Sequence, residues 1–428
     1  MVDAPAARAS ASTPPTGPDD HPTAAPPARP SRRWPAWAPW ALVAGLVLLR
    51  VASIVVLLNT GVDDEFSVLG GDARRYSEYF DAEGTPYRDF AVEYPPLTYG
   101  LAAIVDRPTI WGTIATLAAS QLVLELLVAG VLAWGWSRRT AIAYLILGTP
   151  MIAFPFPYVR LDLLSVFLAV VGAALLRRRK AAAGGAVLAT AVFAKVWPVV
   201  LLPSLLVRRQ WKGLVAAAVT GAVGLVAWVA WAGTSGIDQV ATFRGAKGWQ
   251  IESFPGVFLH IADPGGSKVE QGAWRTAAEV PGWSKVVMLG AMAVVVALAW
   301  LWASRARQEA RPLAVDAYAP IAAVLAMLVF APILSPQYIL WFVPFAAIAA
   351  AAGDRLVGGL TLVVTALTTF LLASIHAQTE GARWATYPIV VRNALLLALG
   401  AVVLHRLWAA RRADTPAASS GPTASPSA

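Results

Sequence analysis

Asp72 lies in Gly70-Gly71-Asp72-Ala73-Arg74-Arg75-Tyr76, where the spacing predicts a short helix with Tyr76 on the same face one turn later. An Asp after glycines caps helices. A loop carboxylate can also take a proton as a general base, and the two roles are compatible. Glu93 precedes Tyr94-Pro95-Pro96, a stiff extended entry into a following helix. It reads either as a solvated loop acid or as a second acid for the same chemistry. Asp63, Asp64, Glu65, Asp81, Glu83 and Asp89 read as solvated loop charges.

A second set is cationic. Arg160 and Asp162 follow Phe154-Pro155-Phe156-Pro157-Tyr158, Lys195 precedes Trp197-Pro198, Arg244 and Lys247 open a loop, and Arg383 and Arg392 lie near and inside the last apolar run. Charges within apolar runs are costly unless paired or facing a cavity. A convergent set of this kind suits a phosphate or pyrophosphate, which Arg binds as a bidentate fork. Lys195 and Arg392 are read as functional; Arg74, Arg75 and Arg383 are read as headgroup anchors. His376 ends an apolar run and could donate to a phosphate or be satisfied within a helix bundle. His260 and His376 are isolated histidines and the chain has no cysteine, so no metal is expected and disulfide or thiolate chemistry is excluded.

These residues need a frame, and composition names its class. The 428 residues are 57% hydrophobic and only 14% charged, against about 25% charged in soluble domains. Apolar blocks reach the roughly 20 residues that span a hydrocarbon core. A soluble enzyme is excluded; the fold class is an all-α polytopic membrane protein. The net charge of +9 comes from 34 basic against 25 acidic residues. Its excess sits in short clusters beside apolar runs, so it reads as positive-inside topology and not as a nucleic-acid surface.

Spans are predicted at 36–59, 112–136, 140–157, 161–176, 213–233, 285–303, 313–333, 338–352, 356–376 and 387–406. Residues 181–207 lie between two basic clusters, with Pro198 near the midpoint, and predict a hairpin of two short helices, 181–195 and 197–207. Broken backbone at membrane depth survives where protein or water covers it, usually at a cavity. The total is about ten to twelve helices with two long outer loops, about 60–111 and 234–284. Residues 1–33, with eight prolines, and 413–428 read as disordered cytoplasmic tails flanking a membrane domain at 34–412. Arg50 and Glu125 both fall near mid-span and predict a structural ion pair.

Several stretches together resemble glycosyltransferase family 87. They are Asp72 with Tyr76, Gly84 to Phe90, Glu93-Tyr94-Pro95-Pro96-Leu97, Lys195-Val196-Trp197-Pro198 through Pro203, Glu252-Ser253-Phe254-Pro255-Gly256, and Ser335-Pro336-Gln337-Tyr338 with Trp341 and Pro344. Each is short; their order along most of 36–408 carries the likeness. The family belongs to the GT-C superfamily and includes polyprenyl-phosphate-mannose-dependent mannosyltransferases. The resemblance implies a GT-C-like bundle in a plasma membrane, with an outward-facing site, a polyprenyl-phosphate sugar donor and a glycolipid or polysaccharide acceptor. The reaction it implies is inverting, with Asp72 as base and no metal or other cofactor. Lys195, Arg392, Arg160 and His376 are then candidates to bind the donor phosphate. A transporter or flippase of lipid-linked sugars is the alternative, because broken helices often form transport sites. The absence of a visible repeat counts against it, and a non-catalytic scaffold fits the clustered acid and base least.

Overall fold

The computed structural model of the chain describes residues 38–59, 71–242 and 245–411. Both predicted tails, the loop acids Asp63, Asp64 and Glu65, and the cation Arg244 lie outside the described residues. Backbone contacts separate Met1–Ala41, of which only Ala38–Ala41 is described, from Leu42–Ala428, to which every contact described below belongs.

In chain order the helices are α1 (Ala38–Asn59), α2 (Gly71–Asp81), α3 (Pro96–Val105), α4 (Ile110–Gly135), α5 (Arg138–Ile152), α6 (Asp162–Arg177), α7 (Ala181–Ala194), α8 (Pro203–Val207) and α9 (Trp211–Ala232). They continue as α10 (Ser235–Ala241), α11 (Phe254–Ala262), α12 (Gly282–Ser304), α13 (Arg311–Leu313), α14 (Ala319–Val329), α15 (Val343–Ala351), α16 (Arg355–Ala373), α17 (Ile375–Thr379) and α18 (Arg383–Arg411). A π-helical turn, Ala314–Tyr318, joins α13 to α14 as one rod. Among the described residues, seven helices are long and apolar enough to cross a membrane: α1, α4, α9, α12, the α13–α14 rod, α16 and α18. The chain is a multi-pass, all-α membrane protein.

Two of the predicted spans, 140–157 and 338–352, are shorter than drawn, and a third, 161–176, keeps its predicted length but is short for a crossing. α5 and α6 have 15 and 16 residues, a rise of about 23 Å against a hydrocarbon thickness of roughly 30 Å. α15 has 9 residues and follows a 3₁₀ turn, Pro336–Trp341. Proline explains both shortenings: Pro155 and Pro157 follow α5, while Pro336 opens the 3₁₀ turn and Pro344 falls inside the run predicted at 338–352. The hairpin at 181–207 is present as α7, a 3₁₀ turn at Trp197–Leu201, and α8, with Lys195 extended at the end of α7 (φ −159°, ψ 147°). α7 packs backbone to backbone on α9: a Cβ on Gly185 would sit 2.0 Å from the Gly213 carbonyl oxygen. Small residues permit that approach.

The expected Arg50–Glu125 pair is formed, with Nε 2.9 Å from Oε1. Tyr158 donates to Glu125 Oε2 at 2.6 Å and Arg50 Nη2 to the Leu145 carbonyl at 2.8 Å. Every charge is thus hydrogen-bonded, the condition under which a buried pair is tolerated. Away from it, Arg177 and Arg208 both pair with Asp316 in the π-helical turn, so part of the basic clustering ties α6 and the end of α8 to the α13–α14 rod.

The described parts of the two long loops are folded. The first carries α2 and α3. The second carries α10, α11 and an antiparallel sheet of order β1-β3-β2, formed by β1 (Gly248–Gln250), β2 (Lys268–Glu270) and β3 (Ala273–Glu279). Gln271 (φ 52°) and Gly272 (φ 72°) turn between β2 and β3. Two successive positive φ values make the type I′ turn that matches strand twist. The sheet is tied to the bundle through Gln250, whose N–H donates to the Pro332 carbonyl at 3.1 Å and whose Oε1 accepts from Leu334 N–H at 2.5 Å. Gln239 of α10 grips the Gly84–Val92 stretch, donating to the Tyr87 carbonyl at 2.7 Å and accepting from Val92 N–H at 3.0 Å.

Candidate active site

α2, the Glu93–Pro95 segment, the turn at Arg160, the bend at Lys195, the β2–β3 hairpin and the 331–338 segment enclose a cavity of about 470 Å³. One wall is charged, with Asp72, Arg75, Glu93, Arg160, Lys195, Glu252 and Arg275. Another is apolar, with Met327, Leu328, Ile333, Leu372 and Ile375.

The charged wall is a relay of paired groups. Arg160 Nη1 is 2.7 Å from Asp72 Oδ2, Arg75 Nη2 is 3.3 Å from Asp72 Oδ1, and Arg75 Nη1 is 2.8 Å from Glu93 Oε1. Asp72 is thus clasped from both sides, with its second arginine shared with Glu93. Burial alone lowers the Arg75 guanidinium, but Asp72 and Glu93 outweigh it and hold the group well above its ordinary value. Tyr76 and Tyr94 meet beside this relay, with hydroxyls 3.4 Å apart. Burial first, then neighbouring ionised groups, push both phenols far up, so both stay protonated and can donate.

Lys195 occupies a second node. Its Nζ is 2.7 Å from Asp162 Oδ1, which also accepts from the Trp341 indole at 2.7 Å. The rings of Tyr94, Tyr338 and Trp341 lie 5.5, 4.9 and 5.4 Å from Nζ, within cation–π range. Trp197 stacks on Trp341 at 5.5 Å and donates to Ser165. This explains the local sequence: Lys195-Val196-Trp197-Pro198 places a cation and its supporting indole on one break, and the 3₁₀ turn at Pro336–Trp341 supplies the facing rings.

Of the residues singled out from sequence, Asp72, Glu93, Arg160 and Lys195 share the cavity wall. Arg392 does not reach it. Fully buried in α18, it donates from Nη1 to Glu252 Oε2 at 2.7 Å and from Nη2 to the Glu252 carbonyl at 3.0 Å. It therefore stands behind Glu252, which does line the cavity. Burial raises the Glu252 carboxyl above the usual range, with Arg392 opposing. His376 is exposed and is not part of the wall. His260 is buried and satisfied, with Nδ1 2.8 Å from Ser267 Oγ and Nε2 2.8 Å from the Gln378 carbonyl. Among the described residues no three His, Asp or Glu side chains converge as a metal site would require.

Arg75 corrects the sequence reading: expected at the headgroups, it bridges both acids, and its i,i+3 spacing from Asp72 was the available signal. Glu252, Asp162 and Arg275 were given no role from sequence. Arg275 is 2% exposed and lies on β3, where no local pattern marks it. Burial lowers its guanidinium, with Glu270 opposing, yet an arginine remains charged.

The family model for glycosyltransferase family 87 matches residues 92–332, more than half of the chain. The chain belongs to glycosyltransferase family 87. No curated protein matches it in sequence. The matched segment takes in Glu93, Arg160, Lys195, Glu252 and Arg275; Asp72 and Arg75 lie before it and Arg392 after it. The family assignment makes this protein a membrane glycosyltransferase, and its cavity is where an acid, fixed cations and an apolar wall meet. Much of the Gly84–Phe90 stretch that resembles the family is bracing. Gly84 has φ 104°, and a Cβ there would lie 2.7 Å from Asp89 Cβ; Asp89 holds the turn by accepting from Thr85 N–H at 2.6 Å.

The hairpin tip presses on the relay. A Cβ on Gly272 would sit 2.0 Å from Arg75 Nη2. Gly272→Ala should therefore displace Arg75 from Asp72 and Glu93, lowering transfer several-fold, while the positive φ destabilises the fold by only about 1–2 kcal/mol. Transfer rates set against thermal melting of the same preparations check this. Full activity in the variant would show that the Arg75 bridge is dispensable.

Proposed function

We propose that this family 87 glycosyltransferase moves a sugar, mannose in the first instance, from a polyprenyl-phosphate donor to a hydroxyl of a glycolipid or polysaccharide at the outer face of the plasma membrane. The observation that carries the reading is the single cavity in which Asp72, held by Arg160 and Arg75, shares space with Lys195 and an apolar wall. An amphipathic donor needs that combination: cations for its phosphate and apolar contact for the start of its chain.

The chemistry is a single displacement. The acceptor oxygen attacks the anomeric carbon, the C1–O bond to phosphate breaks, and its electron pair leaves on the lipid phosphate. The acceptor proton passes to Asp72. Configuration at C1 inverts. Negative charge grows on the departing phosphate, so cations fixed near it favour the transition state over the ground state. Lys195 and Arg160 serve as those cations. The Asp162 partner and the three rings orient Lys195, and the Asp72 partner orients Arg160. Arg392 contributes by holding Glu252, and His376, exposed and outside the cavity lining, is given no part. With fixed cations supplied by the chain, the reaction needs no metal.

Purified protein in lipid discs, given radiolabelled polyprenyl-phosphate mannose and a membrane glycolipid extract, should form a new glycosidic bond of inverted configuration, and chelators should leave the rate unchanged. Transfer from a nucleotide sugar alone, or retained configuration, would overturn the proposal.

A further inference from the structure

Among the described residues four cations line the cavity, and three of them are matched by a carboxylate. Arg75 has Asp72 and Glu93, Arg160 has Asp72, and Lys195 has Asp162. Arg275 differs. Among the described residues no carboxylate oxygen lies within ion-pair distance of its guanidinium; Nε donates to the Glu270 carbonyl at 3.3 Å and Nη1 to the Gly248 carbonyl at 2.8 Å. Nη2 makes no hydrogen bond to those residues, although only 2% of the residue is exposed. The nearby carboxylate of Glu270 is itself engaged by the N–H groups of Lys247 and Gly248, at 3.0 and 3.1 Å.

A buried charge without a counter-ion is strongly unfavourable. Two backbone carbonyls satisfy part of the guanidinium, and Glu270 offsets its charge only from beyond ion-pair distance. Retaining an arginine there has a physical rationale if an anion enters the cavity and completes the pair. We propose that Arg275 is a further anion-binding residue for the donor phosphate, beside Lys195 and Arg160, docking Nη2 on a phosphate oxygen; this rests on the lipid-phosphate reading of the same site. The other wall cations must first be shared with their acids, whereas Arg275 is available at once.

Its surroundings suit the role. Arg275 pairs in register with Gln250 on β1 and with Lys268 on β2, so it is set in the middle strand of a sheet tied to the bundle. Tyr338 lines the same cavity as Arg275 and borders the second cationic node, with Lys195 Nζ 4.9 Å from its ring. A phosphate near Tyr338 could be approached by both cations. The two would differ in kind, Arg275 as a planar donor fixed by its strand and Lys195 as a point charge caged by aromatics.

The test is direct binding of a polyprenyl monophosphate, the product lipid, to wild type, Arg275→Gln and Arg275→Lys in lipid discs, with the unphosphorylated polyprenol as control. Arg275→Gln should lose at least tenfold in affinity for the monophosphate and little for polyprenol, and Arg275→Lys should fall between the two. Equal affinity for the monophosphate in wild type and Arg275→Gln would overturn the assignment. So would a loss of the same size for both lipids, which would mark Arg275 as a structural brace of the sheet. If Arg275→Gln is not monodisperse, the Arg275→Lys comparison decides by the same differential. Inorganic phosphate should compete with the lipid in wild type and less so in Arg275→Gln; dependence on Arg275 with free phosphate alone would overturn the lipid assignment. None of these measurements uses sugar transfer. A wrong donor sugar or a misassigned base would therefore leave the result readable.

Discussion

Asp72→Asn is expected to lower the rate of sugar transfer by about 10²–10⁴-fold, the range a positioned general base supplies, without weakening donor binding. The substitution preserves shape while removing the proton acceptor and its negative charge. Arg75 keeps Glu93 as a partner at 2.8 Å, so the relay does not collapse. Arg160, which loses its carboxylate at 2.7 Å, becomes more available to an anion. Donor affinity should therefore hold or improve while kcat falls, a split that separates lost chemistry from lost binding. Single-turnover transfer from a lipid-linked donor, beside equilibrium binding of the product lipid, reads both quantities. A variant within about threefold of the wild-type rate would remove Asp72 as base.

Glu93 is the competing acid, and the geometry separates the two. Asp72 touches Arg160 and Arg75, whereas Glu93 touches Arg75 and sits on the extended segment before Pro95. With Asp72 as base, Glu93→Gln should act through Arg75 and produce the smaller loss.

The long spans were legible because each is an apolar block near the membrane-crossing length, and that signal needs no knowledge of neighbours. The Pro198 break was legible for a related reason: proline acts on its own turn. Arg50 and Glu125 could be paired in advance because burying either alone at mid-span is costly. The small sheet was not visible. Its strands are short, and its hairpin turns on Gln271-Gly272, a weaker signal than Asn-Gly or Asp-Gly. With the sheet hidden, Arg275 had no context, since only pairing with β1 and β2 brings it to the cavity. From sequence Arg75 reads as an anchor, because a basic residue in a loop near apolar spans has that use by default. Its actual role depends on Glu93, 18 positions along the chain. Arg392 was recognised as a costly charge in a span; what sequence could not give was its partner, 140 positions away.

That partner makes Arg392→Leu the largest expected stability effect. Removing the guanidinium leaves the Glu252 carboxylate buried without its cation and removes a donor from the Glu252 carbonyl, with Asn393 Nδ2 at 3.1 Å remaining. Breaking one side of a buried pair destabilises by about 3–5 kcal/mol, which should appear as a clear fall in thermal midpoint in detergent. Adding Glu252→Gln to Arg392→Leu should recover part of that loss, because the amide carries no charge to strand. Arg392→Lys separates support from direct binding. It keeps the cation but cannot reproduce the fork that engages both the Glu252 side chain and its carbonyl. If Arg392 acts only by holding Glu252, the lysine variant should lose stability while its folded fraction keeps wild-type affinity for a polyprenyl monophosphate. A tenfold loss of that affinity at unchanged stability would instead make Arg392 a phosphate ligand, and the wall of the cavity would have to open toward α18 for it to reach.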